Sequence, residues 1–385
     1  MDNFTYYNPV KIVFGRRSIA QLPRLVPAGA KILLTYGGGS IKRNGVYDQV
    51  VAALKKNPPA EFAGIEPNPR YETCMKAVER VRAEGFDFLL AIGGGSVLDG
   101  TKFIAAASVY KGKDPWDMMF NPARVPADAL PIGCVMTLPA TGSEMNGGAV
   151  ITREATKDKL AVRSSHLFPR FSILDPETTF TLPPRQTANG VVDAFVHVME
   201  QYLTYPADAP LQDRQAEAIL LTLVEEGPKA LAEPWNYVVR ASLMWCATQA
   251  LNGLIGCGVP QDWATHAIGH ELTALYGIDH AQSLAIILPG MMQQQIDRKR
   301  AKLLQYGERV WGIRDGDEDA RIDHAIERTE EFFRSLGVAT RLSDYDIPAS
   351  AVGIVAERLE KRRVPLGEHQ DLAKKDVEEI LSLRV

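Results

Sequence analysis

No stretch of this 385-residue chain reaches the roughly 18 uninterrupted apolar residues of a bilayer-spanning helix, so no membrane role is expected. Cysteine is scarce as well. The four present, Cys74, Cys134, Cys246 and Cys257, form no C-x-x-C pair, which excludes a disulfide-stapled scaffold and offers no thiolate zinc site. Neither sign of charge dominates: 43 basic and 47 acidic side chains leave a net charge of −4, and lysine and arginine form no run. The electrostatic footprint of a nucleic-acid binder is therefore missing. The opening residues Met1–Tyr7 lack the charged start and apolar stretch of a secretory signal, so the expected location is the cytoplasm. Internal repeats and low-complexity tracts are absent too. What is left is a folded chain, 46% hydrophobic and long enough for two domains with sizeable cores.

In the first half, apolar runs alternate with helical patterns. Strands are expected at Val10–Phe14, Lys31–Tyr36, Phe62–Ile65, Phe88–Ile92, Ile132–Leu138, Ala149–Thr152 and Phe171–Leu174, with helices at Val46–Lys56 and Ser96–Val109. The runs are continuous rather than alternating in polarity, as strands of a parallel sheet buried on both faces require. The turn-rich segment Asp175–Pro184 ends this pattern. Beyond it the periodicity is helical: Ala188–Leu203, Leu211–Glu226, Tyr237–Leu254, Asp262–Leu275, Ala301–Trp311, Ile322–Leu336 and Ala349–Lys361. The chain is thus expected to divide into an α/β domain, residues 1–181, and an all-helical domain, residues 182–385.

Two glycine triplets follow expected strands: Gly37-Gly38-Gly39-Ser40 after Tyr36, and Gly93-Gly94-Gly95-Ser96 after Ile92. Glycines between a strand and a helix let a ligand approach the backbone, and the exposed N–H groups with the positive end of the helix dipole attract phosphate. The second loop is expected to hold a pyrophosphate. Neither triplet completes G-x-G-x-x-G, because Leu98 and Lys42 stand where the third glycine would be, and a pair of tight turns is the plain alternative. In the first loop no Asp or Glu is placed to accept a ribose hydroxyl. Gly38, Gly39 and Ser40 leave space and donors, with Lys42 and Arg43 nearby, which fits a 2′-phosphate and favours NADP over NAD. Thr137-Leu-Pro-Ala-Thr-Gly-Ser-Glu144 adds hydroxyls around a turn, a further wall for such a cofactor.

In the second half, Gly190, Asp193, His197 and Glu200 fall on one stripe of an otherwise apolar helix. A carboxylate in such surroundings must meet a proton or a cation, and a simple Asp193–His197 pair is one solution. A second cluster, Trp263-Ala-Thr-His266-Ala-Ile-Gly-His270 and Asp279-His280, brings four of the seven histidines into two short stretches. Asp193, His197 and two or three of His266, His270 and His280 would make an oxygen-and-nitrogen ligand set without thiolate. Such a set suits Fe(II), Zn(II) or another first-row divalent ion, and a hydrolytic metal site fits the same grounds.

Taken together, these segments resemble the iron-dependent (group III) alcohol dehydrogenase family. Ser172-Ile-Leu-Asp175, Pro183 and Ala188-Asn-Gly-Val-Val-Asp193-Ala-Phe, closing at Glu200, fit one long signature, and Trp263 to Ala281 follows a second; Ser283 departs from the pattern that ends it. The loop Gly93-Gly-Gly-Ser-Val-Leu-Asp99-Gly-Thr-Lys102 is similar to the family's nucleotide-binding segment, and Tyr36-Gly-Gly-Gly-Ser40 is most like its NADPH-dependent aldehyde reductase and butanol dehydrogenase branch. The resemblance implies a Rossmann-like, dehydroquinate-synthase-like α/β domain followed by an all-α domain, assembled as a homodimer. It implies metal ligation by Asp193, His197, His266 and His280, and catalytic roles for His270, left outside that set, and for Asp99. Cofactor contacts fall on Gly38, Gly39, Ser40, Asn68, Gly94, Gly95, Ser96, Asp99, Thr137, Leu138, Thr141, Ser143, Lys159 and Leu182. The implied activity is reversible reduction of aldehydes to primary alcohols by NADP(H) with one Fe(II) or Zn(II). An NAD-dependent polyol dehydrogenase, a lyase of the same layout and a non-catalytic metal or nucleotide sensor are the alternatives.

Overall fold

Eight strands are present in the computed structural model, which describes Met1–Val385. They are β1 Lys11–Phe14, β2 Ile32–Tyr36, β3 Ala60–Phe62, β4 Phe88–Gly94, β5 Ile132–Leu138, β6 Gly148–Arg153, β7 Asp158–Arg163 and β8 Phe171–Leu174. Six make one parallel sheet in the order β1-β8-β5-β4-β2-β3, with Leu34 opposite Leu90 and Ile92 opposite Val135. The continuous apolar runs are explained by the two cores that the sheet separates. Ile32, Leu34, Tyr36, Leu90, Ile92, Val135 and Ile173 belong to one, while Leu33, Leu89, Ala91, Cys134 and Met136 belong to the other. Each such side chain contributes roughly 1.5–3 kcal/mol on burial, so a polar residue at alternate positions would destabilise the sheet.

The strand order fixes where a ligand can sit. From β2 the chain moves outward to β3, then returns to place β4 on the other side of β2 and continues through β5 to β8. The order therefore reverses between β2 and β4. In an open parallel sheet the crevice at the carboxyl ends of the strands flanking such a reversal is where ligands bind. Both glycine triplets lie at those two strand ends.

Two strand expectations shift. Ala149–Thr152 does not enter the main sheet but pairs antiparallel with Asp158–Arg163, a strand whose charged sequence hid it. Strand β3 ends at Phe62, because Gly64 and Ile65 instead donate their amides to the Gly37 and Tyr36 carbonyls and wrap the first glycine loop.

The chain forms two units, one of Tyr7–Leu182 with Pro234–Thr248, the other of Met1–Tyr6, Pro183–Glu233 and Gln249–Val385. The helix Tyr237–Ala250, read from periodicity as part of the helical half, thus falls mostly in the unit that holds the sheet, where Trp245 meets Phe14 edge-on at 6.0 Å. The second unit is helical. Its elements are Pro184–Tyr202, Pro210–Ala232, Ala264–Tyr276, His280–Gln294, Ile296–Trp311, Glu318–Ser335, Ala351–Lys361 and Lys374–Ser382. Ile268, Leu272, Ile286, Ile287 and Met291 join Val355, Leu359 and Ile380 in one core, which fixes the two helices that carry His266, His270 and His280. No helix is long and apolar enough to cross a membrane.

Candidate metal centre and nucleotide loops

Three helices of the second unit bring the polar stripe and the histidine cluster together. Pro184 occupies the first turn of Pro184–Tyr202, where its missing N–H is harmless, and the helix then buries Asp193, His197 and Glu200 on successive turns. The helix Ala264–Tyr276 starts with His266 in its first turn and stops at Gly277, which takes the left-handed φ of +70° that a side chain would resist. The chain reverses there. Asp279 then caps the helix that begins with His280, reciprocally with Gln282, and also accepts a hydrogen bond from Asn189 Nδ2 at 2.7 Å. That bond ties the His280 turn to the helix of Asp193. Ser283, the departure from the family pattern, is buried and donates to the His280 carbonyl at 2.7 Å, so the helix start is intact.

The resulting geometry centres on one oxygen. Asp193 Oδ1 lies 3.5 Å from His197 Nδ1, 3.8 Å from His266 Nε2 and 3.8 Å from His280 Nε2. Asp193, His266 and His280 each offer a ligand atom within 4.8 Å of the others, and His197 stacks on His266 with ring centroids 4.6 Å apart. His197 Nδ1 and His266 Nε2 are buried and have no hydrogen-bond partner. Separations of this size are long for direct hydrogen bonds but match donors around a common cation, since bonds of about 2.1 Å at tetrahedral angles place ligand atoms about 3.4 Å apart. The residues fit a divalent metal. His270 lies just outside, its ring centroid 5.1 Å from that of His280 and 6.1 Å from that of His266.

Electrostatics separate the imidazoles. Burial pulls His197 down to about 4, so it is neutral at physiological pH. Burial acts the same way on His266, but the Glu200 and Asp193 carboxylates outweigh it and take that imidazole up to about 9. Glu200 is the functional residue whose role the sequence hid. It stood on the stripe without an assignment, and in the fold one oxygen accepts the His266 backbone N–H at 3.0 Å while the other meets His266 Nδ1. A carboxylate so placed fixes the ring through Nδ1 and leaves Nε2 turned toward Asp193. Asp262 anchors the same helix start: it accepts from the Ala264 amide at 3.0 Å and from Lys299 Nζ at 2.8 Å, with Lys299 also bonded to Glu368.

In the sheet-bearing unit, the nucleotide candidates gather at the β2 and β4 ends. Gly39 has φ +87°, and a Cβ on Gly38 or Gly39 would meet nothing within 4 Å, so that surface is open. On the second triplet it is the side a Cβ would occupy that the protein fills: a Cβ on Gly95 would stand 2.3 Å from Thr141 Oγ1, and one on Gly94 would stand 2.9 Å from Leu138 Cβ. Its glycines allow the Thr137–Asn146 turn to close over the start of the helix Gly95–Val109. Asn68, in the left-handed region at φ 55°, donates its amide to Ser96 Oγ at 3.3 Å and accepts Lys159 Nζ at 2.9 Å, which brings three of the expected contacts together. The buried Asp99 carboxylate accepts from Ser143 Oγ at 2.7 Å and from the Val150 amide at 3.0 Å. Thr137 is buried at the end of β5, and Leu182 is half-buried beyond β8, its amide bonded to the Thr179 carbonyl. Lys42 does not stand alone beside the first loop. Glu61 on β3 accepts from its ammonium at 3.0 Å and from the hydroxyls of Tyr47 and Tyr36.

Phe195, two residues beyond Asp193 on the same helix, is core. It is fully buried against Phe332 and Phe333 at 5.4 and 5.5 Å, because position 195 points away from the Asp193–His197 stripe. Trp263 is partly exposed and packs beside His266 and His197 at 5.4 and 6.2 Å.

Two family models match the chain: iron-containing alcohol dehydrogenase over residues 9–176, and the C-terminal model of the Fe-containing alcohol dehydrogenase family over residues 187–385. The chain is 59% identical over 374 residues to the NADPH-dependent aldehyde reductase YqhD of Escherichia coli K12, covering 97% of each. It is 44% identical over 387 residues to a probable NADH-dependent butanol dehydrogenase of Bacillus subtilis, covering 99% of each. The crystal structure of E. coli K-12 YqhD superposes with a TM-score of 0.98 at 56% identity, covering 100% of this chain and 99% of that one.

Proposed function

Because the chain belongs to the iron-containing alcohol dehydrogenase family, we propose that it is a metal-dependent NADP(H) oxidoreductase that interconverts aldehydes and primary alcohols and serves chiefly as an aldehyde reductase. The observation that carries this reading is the convergence of three imidazole nitrogens on Asp193 Oδ1, none closer than 3.5 Å. Asp193, His197, His266 and His280 would hold one divalent cation, iron(II) or zinc(II), both of which accept oxygen and nitrogen donors without thiolate. When bound, that ion supplies Lewis acidity at the carbonyl oxygen, and NADPH supplies the hydride for the carbonyl carbon.

The chain's own residues do the rest. Asp193 offsets positive charge among the imidazoles, and Glu200 holds His266 by Nδ1 so that Nε2 faces Asp193, where a bound cation would take the place of its proton. Trp263 covers one side of His266 and His197 with an apolar ring, which limits water there and gives an alkyl tail a surface to lie on. His270, beside His280, delivers a proton to the oxygen of the alcohol being formed. In the sheet-bearing unit, Gly38, Gly39 and Ser40 receive the 2′-phosphate and Gly94, Gly95 and Ser96 the pyrophosphate, with Asn68, Thr137, Leu138, Thr141, Lys159 and Leu182 along the remainder of the cofactor. A cytoplasmic homodimer completes the proposal, with the outer side of the edge strand β1 available to a second copy.

Reduced-nicotinamide absorbance tests it. Aldehydes of increasing chain length added to the protein and NADPH should oxidise one cofactor per alcohol formed, and NADPH should react faster than NADH. A lyase, or a metal or nucleotide sensor, would leave the absorbance unchanged with every aldehyde, and that result would overturn the reading.

A further inference from the structure

Lys102 lies in the helix Gly95–Val109 and is fully buried. A lysine in a packed interior is ordinarily less stable than a methionine or leucine of similar volume, so its partners matter. Its ammonium donates to Ser143 Oγ at 2.7 Å, to the Asn146 carbonyl at 2.9 Å and to the Gly148 carbonyl at 2.7 Å. Asn146 Oδ1 is a fourth oxygen at 3.3 Å, and a set made only of acceptors suits an ammonium with three protons better than a neutral amine. Burial pulls the ammonium down to about 8, with Asp99 opposing that fall, so the charge is retained at neutral pH. Ser143 passes the interaction on: having accepted from Lys102, its hydroxyl donates to Asp99 Oδ1 at 2.7 Å. The result is an ion pair bridged by one hydroxyl, inside the protein, between a helix and the turn that closes over the second glycine triplet.

The turn is held at other points too, with Asn8 Nδ2 donating to the Met145 carbonyl at 2.8 Å and the Ser164 amide to the Gly147 carbonyl at 2.9 Å. Asn146 ties it internally, with Nδ2 donating to the Gly142 carbonyl at 2.8 Å and Oδ1 accepting the Gly148 amide at 2.9 Å. Its opposite side is fastened through Glu144, whose carbonyl accepts Ser172 Oγ at 2.6 Å and whose carboxyl meets Thr248 Oγ1. Thr141, two residues before Ser143, is the residue packed on Gly95.

We infer that Lys102 is a positioning residue of the nucleotide site: it fastens the Ser143–Gly148 turn and, through the Ser143 hydroxyl, the Asp99 carboxylate against the helix that begins at Gly95. This rests on the nucleotide binding proposed above for the two glycine loops. Lys102 acts through its neighbours, since all three of its protons are spent on the protein.

The test is NADPH fluorescence titration of the full chain without aldehyde, paired with steady-state kinetics. Ser143→Ala removes only the bridging hydroxyl, and Lys102→Met removes the whole fastening. Each should raise the NADPH Kd roughly tenfold or more, the loss of one charge-assisted hydrogen bond. The KM for NADPH should rise with it, kcat should fall much less, and Lys102→Arg should recover part of the affinity. Ser143→Ala and Asp99→Asn combined should weaken binding no more than the stronger of the two alone. If Lys102→Met does not fold, unchanged affinity in Ser143→Ala still overturns the inference, and Lys102→Arg, which alters no expected cofactor contact, supports it by a Kd raised above that of the wild type. Wild-type affinity in Ser143→Ala, or a fall of kcat and thermal stability together with an unchanged Kd, would overturn the inference. A wild-type chain that does not bind NADPH would instead overturn the nucleotide reading, and this inference with it.

Discussion

His266→Ala is expected to leave the purified protein with little bound metal and to lower kcat/KM for aldehyde reduction by at least about 100-fold. The magnitude follows from the residue's two connections. Replacement removes the Nε2 donor 3.8 Å from Asp193 Oδ1, and it deprives the buried Glu200 carboxylate of the imidazole it meets. Second-layer partners of metal ligands alone typically change affinity or activity 10- to 100-fold, so the loss of a ligand together with the stranding of its partner should exceed that range. A buried carboxylate left without its cation also destabilises the fold by about 3–5 kcal/mol unless it takes up a proton. Metal per chain and kcat/KM are therefore to be measured alongside thermal stability, with His324→Ala, an exposed histidine, as the reference. Full metal content with unaltered turnover in His266→Ala would remove His266 from the ligand set.

The second large effect concerns the first glycine loop. Gly39→Asp should shift the ratio of kcat/KM for NADPH over NADH by about 100-fold toward NADH, and Gly39→Asn should not. The pair is needed because Gly39 sits at φ +87°, where any side chain is strained, although a Cβ would meet nothing within 4 Å. Asn and Asp tolerate the left-handed region about equally, so Asn reports the strain and Asp adds only the charge. A carboxylate facing a 2′-phosphate is a like-charge contact worth several kcal/mol, whereas facing a free ribose hydroxyl it accepts a hydrogen bond. Each 1.36 kcal/mol is a factor of ten, which sets the expected shift. Glu61 already engages Lys42 at 3.0 Å, so that lysine is not free to neutralise a new acid nearby. Equal ratios in the Asp and Asn variants would mean that the 2′-phosphate lies elsewhere.

What could be read from the sequence and what could not divide along a physical line. Strands β2, β4 and β5 were legible because burial on both faces makes their apolar runs continuous, and glycine triplets mark the ends of β2 and β4. Strand β7 was not: Asp158-Lys-Leu-Ala-Val-Arg163 is half exposed, and its strand character depends on pairing with β6. The helix His280–Gln294 was missed because Pro289 and Gly290 interrupt the pattern, although the buried core around them holds the helix together. At the candidate metal centre, Asp193, His197, His266, His270 and His280 were legible because ionisable residues on apolar helices stand out. Glu200 was on the same stripe, but its role depends on a partner 66 residues away, and nothing local encodes that contact. Lys102 was hidden in the same way, with its acceptors 41 to 46 residues further on. Lys42 shows the converse. Its neighbourhood to the first loop was visible, while its engagement by Glu61 required the β2–β3 pairing to form.

The most direct measurement follows metal per chain and NADPH oxidation together while a chelator strips the purified protein and iron(II) or zinc(II) is then returned. Both should decline in parallel to near zero and recover in parallel, approaching full rate at one ion per chain. Undiminished aldehyde reduction by a chain shown to carry no metal would contradict a catalytic cation held by Asp193, His197, His266 and His280.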